Sequence, residues 1–161
     1  MTADGIKWGG LEVAAPEIAQ AGRRLLEDRP GVPGVAFLAT VGADGRPRMH
    51  PFVPAIVEGG LWAFVIDSPK QRDLDRDGGY AIHSTLGADD ESFFVGGAAL
   101  RVEGEQRRAE IGERMPYSNI DERHVLYEFR IDRALWNVWE TPTSPVHRNW
   151  RLMNPRSPGE R

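Results

Sequence analysis

Residues 37–74 read FLATVGADGRPRMHPFVPAIVEGGLWAFVIDSPKQRDL, and the fold follows from how this stretch is punctuated. Phe37 to Val41 is a short apolar run of strand length. Ala43-Asp44-Gly45-Arg46 carries turn chemistry, with Gly45 free to take a positive φ. Pro47 to Val57 reads as a second strand and Leu61 to Ile66 as a third, joined through Glu58-Gly59-Gly60. After Asp67, Ser68 has the hydroxyl of a helix N-cap, Pro69 suits the first helical position, and Leu74 opens the buried face. A hydroxyl and unpaired N–H groups at a helix start, beside Lys70, Arg72 and the strand residue Arg48, make a natural phosphate site.

Working outward, Pro16 to Asp28 predicts an amphipathic helix with Ile18, Ala21, Gly22, Leu25 and Leu26 on one face, stopped by Pro30-Gly31. Tyr80 to Thr85 alternates as a fourth strand, with Tyr80, Ile82 and Ser84 on one side. Ser92 to Glu105 reads as a long strand bent at Gly96-Gly97. Gln106 to Arg114 is a charged helix that buries Ala109 and Ile111. Val125, Tyr127, Phe129 and Ile131 share one face of a further strand, with Leu126, Glu128 and Arg130 on the other, and Trp136 to Glu140 reads as the last strand. Residues 1–14 are expected to be an irregular arm and residues 141–161 an irregular tail anchored by Trp150 and Leu152.

With 161 residues the chain is expected to be a single domain. Strands joined by hairpin turns rather than crossover helices predict a mostly β (α+β) fold, an antiparallel six-stranded barrel with flanking helices. The net charge of −4 argues against non-specific nucleic-acid binding. The absence of cysteine removes disulfides, thiol catalysis and thiolate metal sites. The four histidines have no metal-ligand spacing to one another or to carboxylates, so no metal site is expected. The start of the chain has no signal-peptide h-region, and no apolar run approaches the ~20 residues of a membrane span, so a cytoplasmic location is expected. Only Lys7 and Lys70 are lysines among 20 basic residues, which draws attention to Lys70 in the candidate phosphate loop.

The segments LATVGADGRPRMHP, VIDSPK and RDLDRDG, with FFVGGAALRVEG and LYEFRIDRALWNVWE behind them, resemble the FMN-binding split barrel of the pyridoxamine 5'-phosphate oxidase family over most of residues 35–140. The resemblance implies FMN, a homodimer with sites at its interface, and oxidoreductase chemistry on a small organic molecule. Arg48, Met49, His50 and Pro51 match the flavin-contacting strand, Val65 and Ile66 the strand after it, and Ser68 and Lys70 the phosphate loop. An aromatic from the C-terminal region is placed near the flavin, with Trp139 first by chain order and Trp150 next. His50 is a candidate donor to reduced flavin, and no residue stands out as a catalytic acid or base.

Two departures qualify the resemblance. The phosphate loop has one Lys where the oxidase has adjacent Arg and Lys, and Pro145-Val146-His147-Arg148-Asn149-Trp150 lacks the oxidase's substrate-phosphate motif. The expected substrate is therefore not a vitamin B6 phosphate. The same fold with deazaflavin F420, whose acidic tail wants a more extended basic groove, is one alternative. A flavin or haem carrier is another, with His83, His124 or His147 as an axial ligand.

Overall fold

A computed structural model describes residues 5–153. The chain runs as α1 (Trp8–Ala14), α2 (Pro16–Leu26), β1 (Glu27–Arg29), β2 (Val32–Pro33), β3 (Ala36–Val41), β4 (Pro47–Phe52), β5 (Ala55–Val57), β6 (Gly60–Ile66), α3 (Pro69–Arg76), β7 (Gly79–Ser84), β8 (Ser92–Arg101), α4 (Glu105–Arg114), β9 (His124–Thr141) and β10 (Ser144–Arg151). One eight-stranded antiparallel sheet runs β4-β3-β7-β8-β9-β6-β5, with β10 added on β9. Its two ends, β4 and β5, are separated in sequence only by Val53 and Pro54, so the sheet curls back on itself into a barrel. Pro54 is why the expected single strand from Pro47 to Val57 divides, since proline cannot donate to a ladder. Pro30-Gly31 is the turn of the small β1–β2 hairpin.

The split lies along β9. Its first residues pair with β6, through Ile66↔His124 to Trp62↔Glu128, and its last half pairs with β10, through Arg151↔Arg133 to Ser144↔Thr141. Between them Ile6 exchanges two 2.9 Å backbone bonds with Ile131, and Leu152 N–H donates to Asp132 O at 2.7 Å. The fork thus satisfies the backbone of a strand that would otherwise expose an edge. Eight strands replace the six expected, because the tail supplies β10 and Pro54 creates β5. Trp136 to Glu140 is a continuation of β9.

The main core lies inside the barrel and joins Leu38, Phe52, Val65, Ile82, Val95, Tyr127, Phe129 and Ile131. Phe129 meets Phe52 and Tyr80 edge-on, at 5.9 and 4.9 Å between centroids. A second cluster of Ala55, Trp62, Ile111, Met115 and Leu126 forms where α4 covers the opposite face of β6 and β9. This cover explains why Leu126 is buried although it lies on the opposite face of β9 from Tyr127 and Phe129, and Glu128 on that same face is buried as well. Glu128 is paired there with Arg130 at 2.9 Å and Lys7 at 3.8 Å. Ile111 is buried in α4 as expected; Ala109 is exposed.

The irregular arm expected over residues 1–14 is corrected: Trp8–Ala14 is helical, and Trp8 and Leu11 are completely buried. The irregular tail is corrected likewise by β10 over its described part, while residues 154–161 of that expectation, like residues 1–4 of the arm, lie outside the described residues. Its proline content is tolerated because β10 is an edge strand.

The β8 bend is real. The β8–β9 register shifts between Gly96 and Gly97, and a Cβ on Gly97 would lie 2.0 Å from the Arg130 carbonyl oxygen. Gly97→Ala must therefore push two backbones apart. The expected loss is about 1–3 kcal/mol in urea unfolding, with Gly31→Ala, whose Cβ would meet nothing within 4 Å, as the comparison that isolates backbone strain at positive φ.

Candidate functional site

Ser68 starts α3 as the sequence predicts. It is extended (φ −165°), its hydroxyl donates to Ile66 O at 2.8 Å, and it accepts a long bond from Gln71 N–H at 3.4 Å. Gln71 also donates its side-chain amide to Val65 O at 3.0 Å. The end of β6 and the first turn of α3 are thereby locked together. The carbonyls of Val65 and Ile66, the residues that the resemblance matches to the strand after the flavin-contacting one, are used in this lock.

Lys70 lies one residue into the helix. Its ammonium is half-buried, 3.4 Å from Pro51 O, and has no carboxylate within 4 Å among the described residues. Burial pulls it below the ordinary lysine value. It lines a cleft of about 320 Å³ with Phe52, Phe64, Val65, Ile66 and Tyr117, closed by Asn119, Ile120 and His124. The buried Tyr117 hydroxyl there finds no hydrogen-bond partner among the described residues. The cleft has an apolar wall and one uncompensated cation at a helix N-terminus, a composition suited to a flat ligand with an anionic end.

Arg48 is placed differently from expectation. On β4 it is opposite Thr40, and its guanidinium donates to Asp73 Oδ1 at 2.9 Å. Arg76 donates to the same oxygen at 3.2 Å, and the Thr40 hydroxyl donates to Oδ2 at 2.8 Å. Burial pushes the Asp73 carboxyl up, but the bonds from Thr40, Arg76 and Arg48 outweigh it and hold it below the ordinary aspartate value. His50, two residues along β4, approaches Thr40 Oγ1 through Nε2 at 3.1 Å. Burial first, then Lys70, pulls His50 below the ordinary histidine value, with Asp73 opposing and Arg48 adding to the fall. Lys70, His50, Arg48 and Arg76 thus form a row along β4 and α3. Arg48 and the Lys70 contact at Pro51 are three residues apart on β4, about 10 Å.

The other expected residues separate. Met49 and Pro51 project from the opposite face of β4, beside Ala39 and Phe37, so the run from Arg48 to Pro51 cannot line one surface. Arg72 is exposed and paired with Asp67 at 2.9 Å, away from Lys70. Trp139 lines a separate cavity with Asp89 and Asp90, and Trp150 another with Phe94 and Arg133. Trp139 lies at the far end of β9 from His124, at most about 50 Å along an extended strand. Neither tryptophan reaches the cleft within its own chain.

Asp73 and Thr40 escaped the sequence reading. Thr40 alternates with the buried Ala36 and Leu38, and an inward hydroxyl always demands a partner. That signal was present. Tyr117 and Asn119 come from a connection with no motif, and His124, a candidate haem ligand in the sequence, opens β9.

The Asp73 cluster has a pH signature. Its folded pKa lies below the unfolded value of about 3.9, so its stabilisation is complete above that pH and is lost as pH falls through the folded value. Asp73→Asn is expected to cost about 1–2 kcal/mol at pH 7, limited because both arginines remain half-solvated. Urea unfolding at stepped pH should show the two proteins converging as the wild type is acidified below about pH 4.

No protein-family model matches the sequence, and no curated protein does. Solved structures match in fold. PhzG from Burkholderia lata, solved with tetrahydrophenazine-1-carboxylic acid, superposes with a TM-score of 0.64 at 13% identity, over 91% of this chain and 88% of that one. A Clostridium acetobutylicum protein related to general stress protein 26, of the pyridoxinephosphate oxidase family, has a TM-score of 0.59 at 8% identity, over 89% and 96%. A haem-binding protein from Mycobacterium smegmatis has a TM-score of 0.53 at 19% identity, over 73% of this chain; the chain spans only 52% of that protein. At these identities the likeness is one of fold, and that fold is the split barrel.

Proposed function

We propose that this chain is an FMN-binding flavoprotein, acting as an oxidoreductase on a small organic molecule. The observation that carries the reading is Lys70: a partly desolvated ammonium without a counter-ion, at a serine-capped helix start, on the rim of an apolar cleft. These residues fit a flavin phosphate. Lys70 and the N-terminal end of α3 would hold the phosphate, Arg48 would add positive potential from beyond His50, and Phe64, Val65 and Ile66 would exclude water beside the ring. FMN, when bound, supplies the hydride or electron transfer.

The active unit in this reading is a C2 homodimer. The outward face of β3 and β4 exposes Phe37 (38%), Val41 (37%) and Met49 (70%) side by side. Only a second copy could bring Trp139 or Trp150 to the cleft. Light scattering at micromolar concentration should give twice the chain mass; a monomer mass would count against the assembly.

The vitamin B6 phosphates are not the substrates in this reading. Arg148 is paired with Glu17 at 3.0 Å and stacked over Trp136, and His147 is bonded to Asn137, so these two basic groups of the tail are engaged elsewhere.

One observation favours a second reading. His124 borders the cleft, its Nδ1 3.0 Å from Asp121 Oδ1 and 3.2 Å from the Asp121 N–H, and in the tautomer that donates Nδ1–H to the carboxylate Nε2 is the nitrogen that would ligate haem. Absorption spectra separate the readings. Flavin bands on titration with FMN support the first, and a Soret band on titration with hemin supports the second. Uptake of F420 but not FMN would assign the row from Lys70 to Arg76 to an acidic tail.

A further inference from the structure

Two rows of residues lie on the outward side of β8, β9 and β10. Gly96, Arg133 and Arg151 are register partners in one row, and Phe94, Leu135 and Asn149 in the next. Register partners share a face, and this face is opposite the core residues Phe93 and Val95. Phe94, Arg133, Leu135, Asn149 and Arg151 border one cavity of about 320 Å³. Arg133 therefore faces Arg151 directly across the ladder, where like charges repel. The chain has 24 acidic residues against 20 basic ones, so carboxylates to neutralise the pair are plentiful. Only Asp132 comes near either guanidinium among the described residues, at 3.7 Å from Arg133 and on a half-exposed side chain. That distance is too long for a hydrogen bond, and water screens the contact. Asn149 has no side-chain partner among the described residues. Gly96 gives Arg133 its place. A Cβ there would lie 2.9 Å from Arg133 Nε and 3.2 Å from Phe94 Cζ, and the guanidinium sits 5.8 Å from the Phe94 ring centroid. The Arg133 fork is thus held against an aromatic wall on the sheet, where it loses little freedom on binding.

We propose that this cavity is a second binding site, for a small molecule that carries a carboxylate on a flat apolar body. The forks of Arg133 and Arg151 take the carboxylate oxygens, and the Asn149 amide adds a third donor. Leu135 and the edge of Phe94 cover the apolar body, for which the cavity has room. The bound anion lies between two cations that otherwise repel each other, so binding removes a cost already present in the free protein. The site shares no residue with the cleft at Lys70 and needs no flavin.

The test titrates the full chain, without added flavin, with 2-naphthoate, with the neutral 2-naphthamide and with inorganic phosphate. The arginine Nε–H and asparagine amide signals of ¹⁵N-labelled protein report binding. Naphthoate should saturate and bind at least ~10-fold more tightly than naphthamide. Arg133→Gln and Arg151→Gln, both at exposed positions that folding tolerates, should each weaken naphthoate by about 10-fold. Arg46→Gln, which removes the same charge from the exposed β3–β4 turn, should leave naphthoate binding unchanged. Equal binding of naphthoate and naphthamide, or no saturation with naphthoate, overturns the site. Phosphate binding as tightly as naphthoate makes the pair a plain anion sink and overturns the assignment of an apolar body. Naphthoate binding that is lost in Lys70→Ala and kept in Arg133→Gln places the acid in the cleft and likewise overturns the site. None of these outcomes depends on whether the protein takes up FMN, which the flavin titration decides separately.

Discussion

Trp8→Ala will lose about 3–5 kcal/mol of folding stability, the largest single effect expected in this chain. Trp8 is completely buried, meets Phe93 edge-on at 5.9 Å between centroids, and donates its indole N–H to Glu12 at 3.0 Å. It forms part of the main core although it sits at the start of a seven-residue helix. Truncation leaves a cavity between α1 and Phe93 that the ladder of β8 and β9 cannot collapse into. Thermal unfolding should shift by about 6–20 °C for a chain of this size. Trp8→Phe keeps most of the ring packing and loses the indole donor, so it should recover most of the difference. An alanine variant within about 1 °C of wild type would mean that the amino-terminal helix is not part of the folded core.

On the proposed function, Lys70→Ala is expected to weaken FMN binding at least ~10-fold, from the loss of a charge-assisted contact worth about 1.5–3 kcal/mol. Riboflavin, which has no phosphate, should be nearly indifferent, and that contrast assigns the lysine to the phosphate. Arg48→Ala should cost FMN less than Lys70→Ala does, because the Arg48 guanidinium is already bonded to Asp73. The pH profile has a definite sign. Affinity should rise as the phosphate loses its second proton near pH 6. It should fall again in the alkaline range, where Lys70, lowered by burial, deprotonates sooner than an ordinary lysine. Isothermal titration of both ligands reads all of this. Equal losses for FMN and riboflavin would remove the phosphate from Lys70.

Much of the barrel was legible because its signals are short-range. Gly45 takes φ +78° in the β3–β4 turn, Ser68 and Pro69 start α3, and the β8 register breaks at Gly96-Gly97. Each depends on dihedral preferences or hydrogen bonds within a few residues. Tyr80, Ile82 and Ser84, which the alternation puts on one side of the strand, form the buried face of β7. The site was half legible. Lys70 and Ser68 stand at a helix start that the sequence announces. The company kept by Arg48 and His50 was not announced, since Asp73 lies 25 residues from Arg48 and its pairing requires α3 to lie against β3 and β4.

The local grammar of Phe37–Leu74 was enough to establish an antiparallel sheet, the hairpin order of its strands and a serine-capped helix start, because turns, caps and two-residue alternation are properties of neighbouring residues. Tertiary structure decided which surfaces meet. It made Trp8 core by laying α1 and α2 over the barrel, turned the proline-flanked tail into β10 by offering it the free edge of β9, and buried Leu126 by placing α4 above it. It also tied Arg48 to Asp73 and put Met49 and Pro51 on the opposite face of β4 from His50. Those outcomes depend on apolar burial and hydrogen-bond satisfaction between segments far apart in the chain, which no local pattern encodes.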